Sequence, residues 1–249
     1  MGSAVAITRL DLTASELRKA ALRAIAEHPL QFAFGTAHLD SEGKVVHRTE
    51  GGLNNEGAVE QQIAHAERIR RELVAATIET CRNGIIDAYY ISEDILGSLL
   101  FNSPFIPNDL LQTFSRGFCR FFQGDFTSAI YILTPLLENS LRHVLKGHGH
   151  EVTKFDDADL TQEDRTISSL FLEMRAELES IFTNPVVADI EHVFLKRPGP
   201  ALRHQLAHGL LHDNSVFAAD ALYGCWLMFR LCCLPLLPYV ADIELLGER

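Results

Sequence analysis

Pro200-Ala201-Leu202-Arg203-His204-Gln205-Leu206-Ala207-His208-Gly209-Leu210 is the stretch on which the reading of this chain turns. It sets an arginine and two histidines within about two helical turns. Arginine is the side chain best shaped to clamp a phosphate, and histidine moves protons near neutral pH. Pro200 suits the first turn of a helix, so Arg203 is expected near that helix's positive end, where free N–H groups favour a phosphate. Residues four apart share a helix face, so His204, His208 and His212 are expected as one stripe. Arg203 lies about 140° around the helix from His208 at ~100° per residue. One ligand for both then requires a bent arginine or a cleft shared with a second copy. Gly209 costs roughly 1 kcal/mol in a helix, which is sensible where another backbone comes close.

Working outward, the rest of the chain reads as helices. Thr13 and Glu16 form a capping box before Leu17, Ala21, Leu22 and Ile25. Gln31 to Thr49 is the exception: apolar runs around Asp40-Ser41-Glu42-Gly43 predict a short hairpin. Asn54 to Gly57 reads as a loop, and Ala58 to Cys81 as a long helix stopped by Asn83-Gly84. Ser92-Glu93-Asp94 opens a shorter helix. Pro104 and Pro107 mark a boundary, followed by helices over Asn108–Gln123 and Phe126–Lys146 with Gly124 and Gly147 as stops. Pro135 predicts a kink in the second of these. His148 to Asp164 reads as a polar, solvated loop, including Asp156, Asp157 and Asp159. Thr161 is expected to cap a helix to Phe182, and Asn184-Pro185 to start another to Leu195. Lys196 to Pro200 is a turn, and Asp213-Asn214-Ser215 leads into the last apolar helix. Phe114, Phe118, Phe121 and Phe122 recur at helical spacing and read as core.

The 249 residues divide, on this reading, into a helical N-terminal region with a short hairpin (1–103) and a helical domain (104–249). Acidic residues number 33 against 22 basic, a formal net charge of -11, which argues against nonspecific coating of nucleic acid. The five cysteines form no C-x-x-C pair and four lie in apolar helical stretches, as in a reducing cytoplasm. No basic-then-apolar leader opens the chain, and Ala6 stands where a myristoylation motif needs Ser or Thr. Ala221 to Ala241 is apolar enough to resemble a membrane span. Arg230 at its middle, with Pro235 and Pro238, makes a buried core helix the better reading. No membrane association is therefore expected.

Arg203-x-x-x-x-His208, with His204 directly after the arginine, resembles the R-[N/D/H]-x-x-x-H signature of the HEPN superfamily (higher eukaryotes and prokaryotes nucleotide-binding). Gly199 to Leu211 is similar to a bacterial HEPN-like domain of unknown function with a G-x-N-L-R-[N/H]-x-x-A-H-G pattern. That domain also carries P-x-x-E-x-x-x-R upstream, matched here by Pro135, Glu138 and Arg142. The resemblance is good from about Ser103 to Arg249 and looser before that. Ala201 stands in place of the pattern's Asn, and Leu210 in place of the Tyr of a toxin subgroup regulated through that residue.

The resemblance implies a mainly all-α, up-and-down helical bundle. It also implies a homodimer with two motifs in one cleft, and metal-independent RNA cleavage with no cofactor, as in toxin–antitoxin and phage-defence systems. Arg203, His208 and His204 are then the catalytic set: His208 in acid–base work, Arg203 on the phosphate, His204 sharing or orienting. Glu138, Arg142 and His212 are the positioning or substrate-binding set. Two other readings stand beside it. One is a non-catalytic RNA- or nucleotide-binding or regulatory module with a protein partner. The other is a metal-dependent hydrolase built on the His204/His208/His212 stripe. His148 and His150 read as members of a solvated loop.

Overall fold

A computed structural model describes residues 14–39, 43–50, 52, 56–156, 161–197 and 199–239. Thr13, most of the first hairpin's turn, Asn54, Asp157 and Asp159 lie outside the described residues, and with them the capping box and part of the acidic run. The described chain is mainly helical, with eleven α-helices and two small antiparallel hairpins.

Helix α1 (Ala14–Glu27) buries Leu17, Ala21 and Ile25, one stripe at spacing four, and a short turn α2 (Pro29–Phe32) follows. Strands β1 (Thr36–Leu39) and β2 (Val45–Thr49) pair as expected, with Thr36 opposite Thr49. Phe32 falls in α2 rather than a strand, and Phe34 is exposed. The hairpin is tied to the next helix through Gln61: its Nε2 donates to Thr36 Oγ1 at 2.9 Å, and its Oε1 accepts from Thr49 Oγ1 at 3.1 Å.

That next helix, α3 (Glu56–Ala88), is longer than the sequence predicts; its 33 residues span about 50 Å. It runs through Asn83-Gly84 because the residues around them are held. Ile85 packs on the main core, and Arg82 donates to the Phe122 carbonyl at 2.5 Å. These contacts outweigh the ~1 kcal/mol that a helical glycine costs.

Helix α4 (Glu93–Leu100) starts at Ser92, whose hydroxyl accepts from the Ile95 N–H. Helices α5 (Leu111–Phe122) and α6 (Phe126–Gly147) pack together and against the rest of the core. Gly117 lets them approach: a Cβ there would stand 2.7 Å from Leu133 Cδ2. Gly124 has φ +82 and ends the α5 run as expected. Past α6, the positive φ (+83) falls on Gly149, not on Gly147.

The stretch expected as a loop contains a second hairpin, β3 (Thr153–Asp156) and β4 (Thr161–Asp164). Thr161 is therefore a strand residue. The cap is Thr166, whose hydroxyl accepts from the Ser169 N–H at the start of α7 (Ile167–Glu173). Helices α8 (Arg175–Phe182) and α9 (Asn184–Phe194) follow.

Helix α10 (Leu202–Ala207), a 3-10 turn (Asp213–Phe217) and α11 (Ala219–Cys233) complete the bundle, with a final 3-10 turn at Leu234–Tyr239. Every residue of α11 from Ala221 onward is buried, as expected of a helix that is apolar all round and surrounded by others. Ala219–Pro238 is long and apolar enough to cross a membrane, and 72% of that window is buried inside the protein. Phe229 takes Phe118, Phe122 and Trp226 around its ring, which makes the phenylalanine run core. All five cysteines are free; burial raises the Cys225, Cys232 and Cys233 thiols well above their ordinary range. The main core includes Val74, Ile78, Leu96 and Leu100 along with residues from Phe105 to Cys233, so it draws on both sides of position 103.

Candidate functional site

Helix α10 is six residues long, and the chain folds tightly at both ends of it. Before it, a Cβ on Gly199 would stand 2.5 Å from the His192 carbonyl oxygen, so the loop lies directly against the end of α9. Ala201 then takes φ 44 and ψ 48, a left-handed conformation that Asn tolerates far better than Ala. This is the position where the resembling pattern carries Asn. The Ala201 carbonyl accepts from His204 N–H at 2.9 Å and Gln205 N–H at 3.1 Å. Gln205 Nε2 reaches back to the Pro200 carbonyl at 2.7 Å. Leu202, 2% exposed, is driven into α11 where Gly224 leaves room: a Cβ on Gly224 would meet Leu202 Cδ1 at 2.7 Å.

At its other end α10 closes with a Schellman arrangement. The Leu210 N–H donates to the Gln205 carbonyl at 2.8 Å, and the Gly209 N–H to the Leu206 carbonyl at 3.2 Å. Gly209 has φ +64, and nothing else in the described chain comes within 4 Å of where its Cβ would be. Its role is therefore backbone conformation, not the close packing expected from the sequence. The same closure removes the three-histidine stripe. His208 is the last residue of the turn, and His212 lies beyond it, ahead of the 3-10 turn, so the i,i+4 series stops at two. Among the described residues no group of three His, Cys, Asp or Glu side chains is arranged to hold a metal.

Seating Leu202 in the core aims Arg203 at α6. Its Nη2 donates to Glu138 Oε2 at 3.3 Å, while the other carboxylate oxygen, Oε1, accepts from Arg142 Nη1 at 2.8 Å. Arg142 also donates to the Arg165 carbonyl at 2.9 Å and lies 3.6 Å from Asp164. Glu138 thus stands between two arginines. Arg142 is largely buried and multiply bonded, whereas Arg203 is 41% exposed and held by one long contact. The other Arg203 N–H groups make no hydrogen bond among the described residues and remain available to an incoming anion.

His204 and His208 are neighbours on the outer side of this helix. Their ring centroids are 4.5 Å apart at 54°; His204 is half-buried and His208 exposed. Partial burial is the main cause lowering the His204 pKa below the ordinary 6.5, and the positive charges of Arg197, His208 and Arg203 act the same way. Arg197, from the loop before the motif, therefore belongs to the electrostatics of this site. At neutral pH His204 is an uncharged imidazole, free to accept a proton.

The structure thus brings Glu138, Arg142, Arg203, His204 and His208 together and leaves His212 outside the helix. His148 is engaged locally, its Nδ1 2.8 Å from the Val144 carbonyl.

Sequence reasoning missed a second polar assembly on α3. Arg70 Nη2 donates to Asp189 Oδ1 at 2.5 Å and Nη1 to the Tyr223 hydroxyl at 2.8 Å. Tyr223 in turn donates to Asp189 Oδ2 at 2.6 Å, and Glu67 lies 2.7 Å from the guanidinium. Burial alone would lower the Arg70 pKa, but Asp189, Tyr223 and Glu67 together outweigh it and raise it. Burial foremost, with the Asp189 charge, pushes the Tyr223 phenol up. One residue on, Arg71 Nε donates to Asp220 Oδ1 at 2.5 Å. The signal was present: Glu67, Arg71, Val74, Ala75 and Ile78 share the buried stripe of α3, which places charge on an apolar face.

No family model, no curated protein and no solved structure matches this chain.

Proposed function

We propose that Arg203, His204 and His208 form a metal-independent site for cleaving RNA, and that the chain is a HEPN-like endoribonuclease. The observation that carries this reading is an exposed arginine braced by Glu138 beside two adjacent imidazoles, one kept uncharged at neutral pH. Two imidazoles this close disfavour double protonation, which is one of the causes that lower the His204 pKa. Neutral His204 accepts the proton of a ribose 2′-OH, and the 2′-oxygen attacks phosphorus. Protonated His208 gives its proton to the 5′-oxygen as the P–O5′ bond breaks. The products are a 2′,3′-cyclic phosphate and a 5′-OH. Arg203 holds the non-bridging oxygens as charge builds on them, and Glu138 and Arg142 fix Arg203 in place. His208 and Leu210 are exposed in a single copy, and a second copy of the chain facing the motif closes the cleft. The setting is cytoplasmic.

The test is incubation of RNA with the protein in excess EDTA, beside Arg203→Ala and His208→Ala. Cleavage that survives chelation and falls about 100-fold or more in each variant supports the proposal. Activity that requires an added divalent metal sinks it.

A second reading is a non-catalytic RNA- or nucleotide-binding module. The Glu138 brace favours it, since it positions Arg203 for an anion without requiring any chemistry. RNA that stays intact while still binding the protein through Arg203 selects that reading.

A further inference from the structure

Arg71 is a buried charge for which its one ion pair does not fully account. Its side chain is 2% exposed, yet among the described residues only Nε–H donates a hydrogen bond, to Asp220. Buried guanidinium groups ordinarily satisfy most of their five N–H donors. Here both Nη groups, with four of those donors, make no hydrogen bond in the described chain. Arg71 instead borders two adjoining cavities, of about 360 Å³ and 150 Å³, which share Ala64, Arg71 and Gly199 as walls.

The larger cavity is polar. Arg68 and His65 reach it from α3, about one and two turns before Arg71, and the amides of Gln31 and Gln62 line it without side-chain hydrogen bonds among the described residues. Asp220 is the carboxylate on its wall, already committed to Arg71 Nε. The smaller cavity adds His192, Lys196 and Arg197 opposite Glu60 and Glu67. Glu67 is neutralised by Arg70 at 2.7 Å. Arg68 is likewise paired with Glu72 at 2.8 Å and Lys196 with Glu191 at 3.4 Å, so among the described residues the groups left unengaged toward the shared space are the two Arg71 Nη groups and Arg197, with Glu60 opposite them.

We propose that the cavity over Arg71 binds a small oxyanion, the phosphate or carboxylate group of a polar metabolite. The two Nη groups form an end-on fork that fits two oxygens of such a group. Arg68, shared with Glu72, and His65 supply N–H donors at the rim, and the glutamine amides bind polar groups on the rest of the ligand. Gly199 and Pro200 form the far wall and lead directly into α10, so an occupied cavity also steadies the loop in front of Arg203.

The experiment is isothermal titration calorimetry of the full chain with inorganic phosphate and, separately, malonate. Binding of either anion is expected, and which one binds distinguishes phosphate from carboxylate as the natural group. Arg71→Ala abolishes it, and Arg68→Gln, on a half-exposed side chain, weakens it about fivefold. Asp220→Asn removes a repelling charge and tightens binding. Arg203→Ala leaves it unchanged, which separates this site from the RNA-cleaving one. Should Arg71→Ala not fold by circular dichroism, Arg68→Gln and Asp220→Asn decide. The proposal is overturned if neither anion binds the wild type at about 10 mM. It is also overturned if binding is indifferent to Arg68→Gln and Asp220→Asn.

Discussion

Asp189→Ala probes the join on which the site depends, because α9 hangs on α3 and α11 through that carboxylate before leading into the motif. Arg70 and Asp189 are 12% and 8% exposed and 2.5 Å apart, so water screens their contact little. The substitution strands the Tyr223 hydroxyl proton, which now goes to Asp189 Oδ2, and leaves Arg70 with the Glu67 carboxylate and the Tyr223 hydroxyl. Removing one partner of a buried pair costs ~3–5 kcal/mol, and the remaining Glu67 contact holds the figure near the lower end. A lost hydrogen bond at Tyr223 adds about 1 kcal/mol, for a total of roughly 3–4 kcal/mol. That is a large share of the ~5–15 kcal/mol available to a folded domain. Urea unfolding followed by far-UV circular dichroism reads it as a fall in midpoint of about 1–2 M with an unchanged slope. Glu72→Ala, which breaks the half-exposed pair with Arg68, serves as the surface control and costs below ~0.5 kcal/mol. A loss for Asp189→Ala no larger than that of the control would refute the account of this network.

Two further predictions follow from single positions. Gly209→Ala places a side chain at φ +64 with nothing nearby to clash, so it costs only about 1 kcal/mol, whereas Gly224→Ala drives a Cβ into Leu202 and costs at least twice as much; thermal melts rank the two. His192 is partly buried, and that desolvation lowers its pKa below 6.5, with Lys196 adding to the effect and Glu67, Glu191 and Asp189 opposing it. The unfolded chain therefore binds this proton more readily than the folded one. The contribution to stability is complete above pH 6.5 and shrinks as the pH falls through the folded-state value. His192→Asn flattens the acid side of a stability–pH curve, and an unaltered slope contradicts the assignment.

Much of the bundle was legible because its cues are local: Ser92 before an acidic turn, Gly124 between two apolar helices, and Asn184-Pro185 at a helix start all occupy the places expected of them. The misreadings have separate causes, and only the first is a contact distant in sequence that overrode a local preference. Asn83-Gly84 stays helical because Arg82 and Ile85 are held by the core. The β3–β4 hairpin has no apolar alternation to betray it, since its residues other than the exposed Phe155 are polar. Gly209 was read for its small size, and it serves by its positive φ instead, which shortens α10 and takes His212 off the histidine face. At the site, the spacing of Glu138 and Arg142 announced their pairing, but the reach of Glu138 across to Arg203 needed the packing of Leu202 against Gly224. Arg70 and Arg71 were hidden among charged neighbours on a helix whose buried stripe runs through them.

The central claim is that Arg203, His204 and His208 cleave RNA through its own 2′-hydroxyl. A short RNA cut by the protein in EDTA is compared with the same strand carrying a 2′-deoxy residue at the cleaved position, and the product ends are read by mass spectrometry. The account predicts a 2′,3′-cyclic phosphate from the RNA, no cut at the deoxy position, and loss of the cyclic-phosphate product in His204→Ala and His208→Ala. Cleavage at the deoxy position, or products bearing a 5′-phosphate, contradicts it.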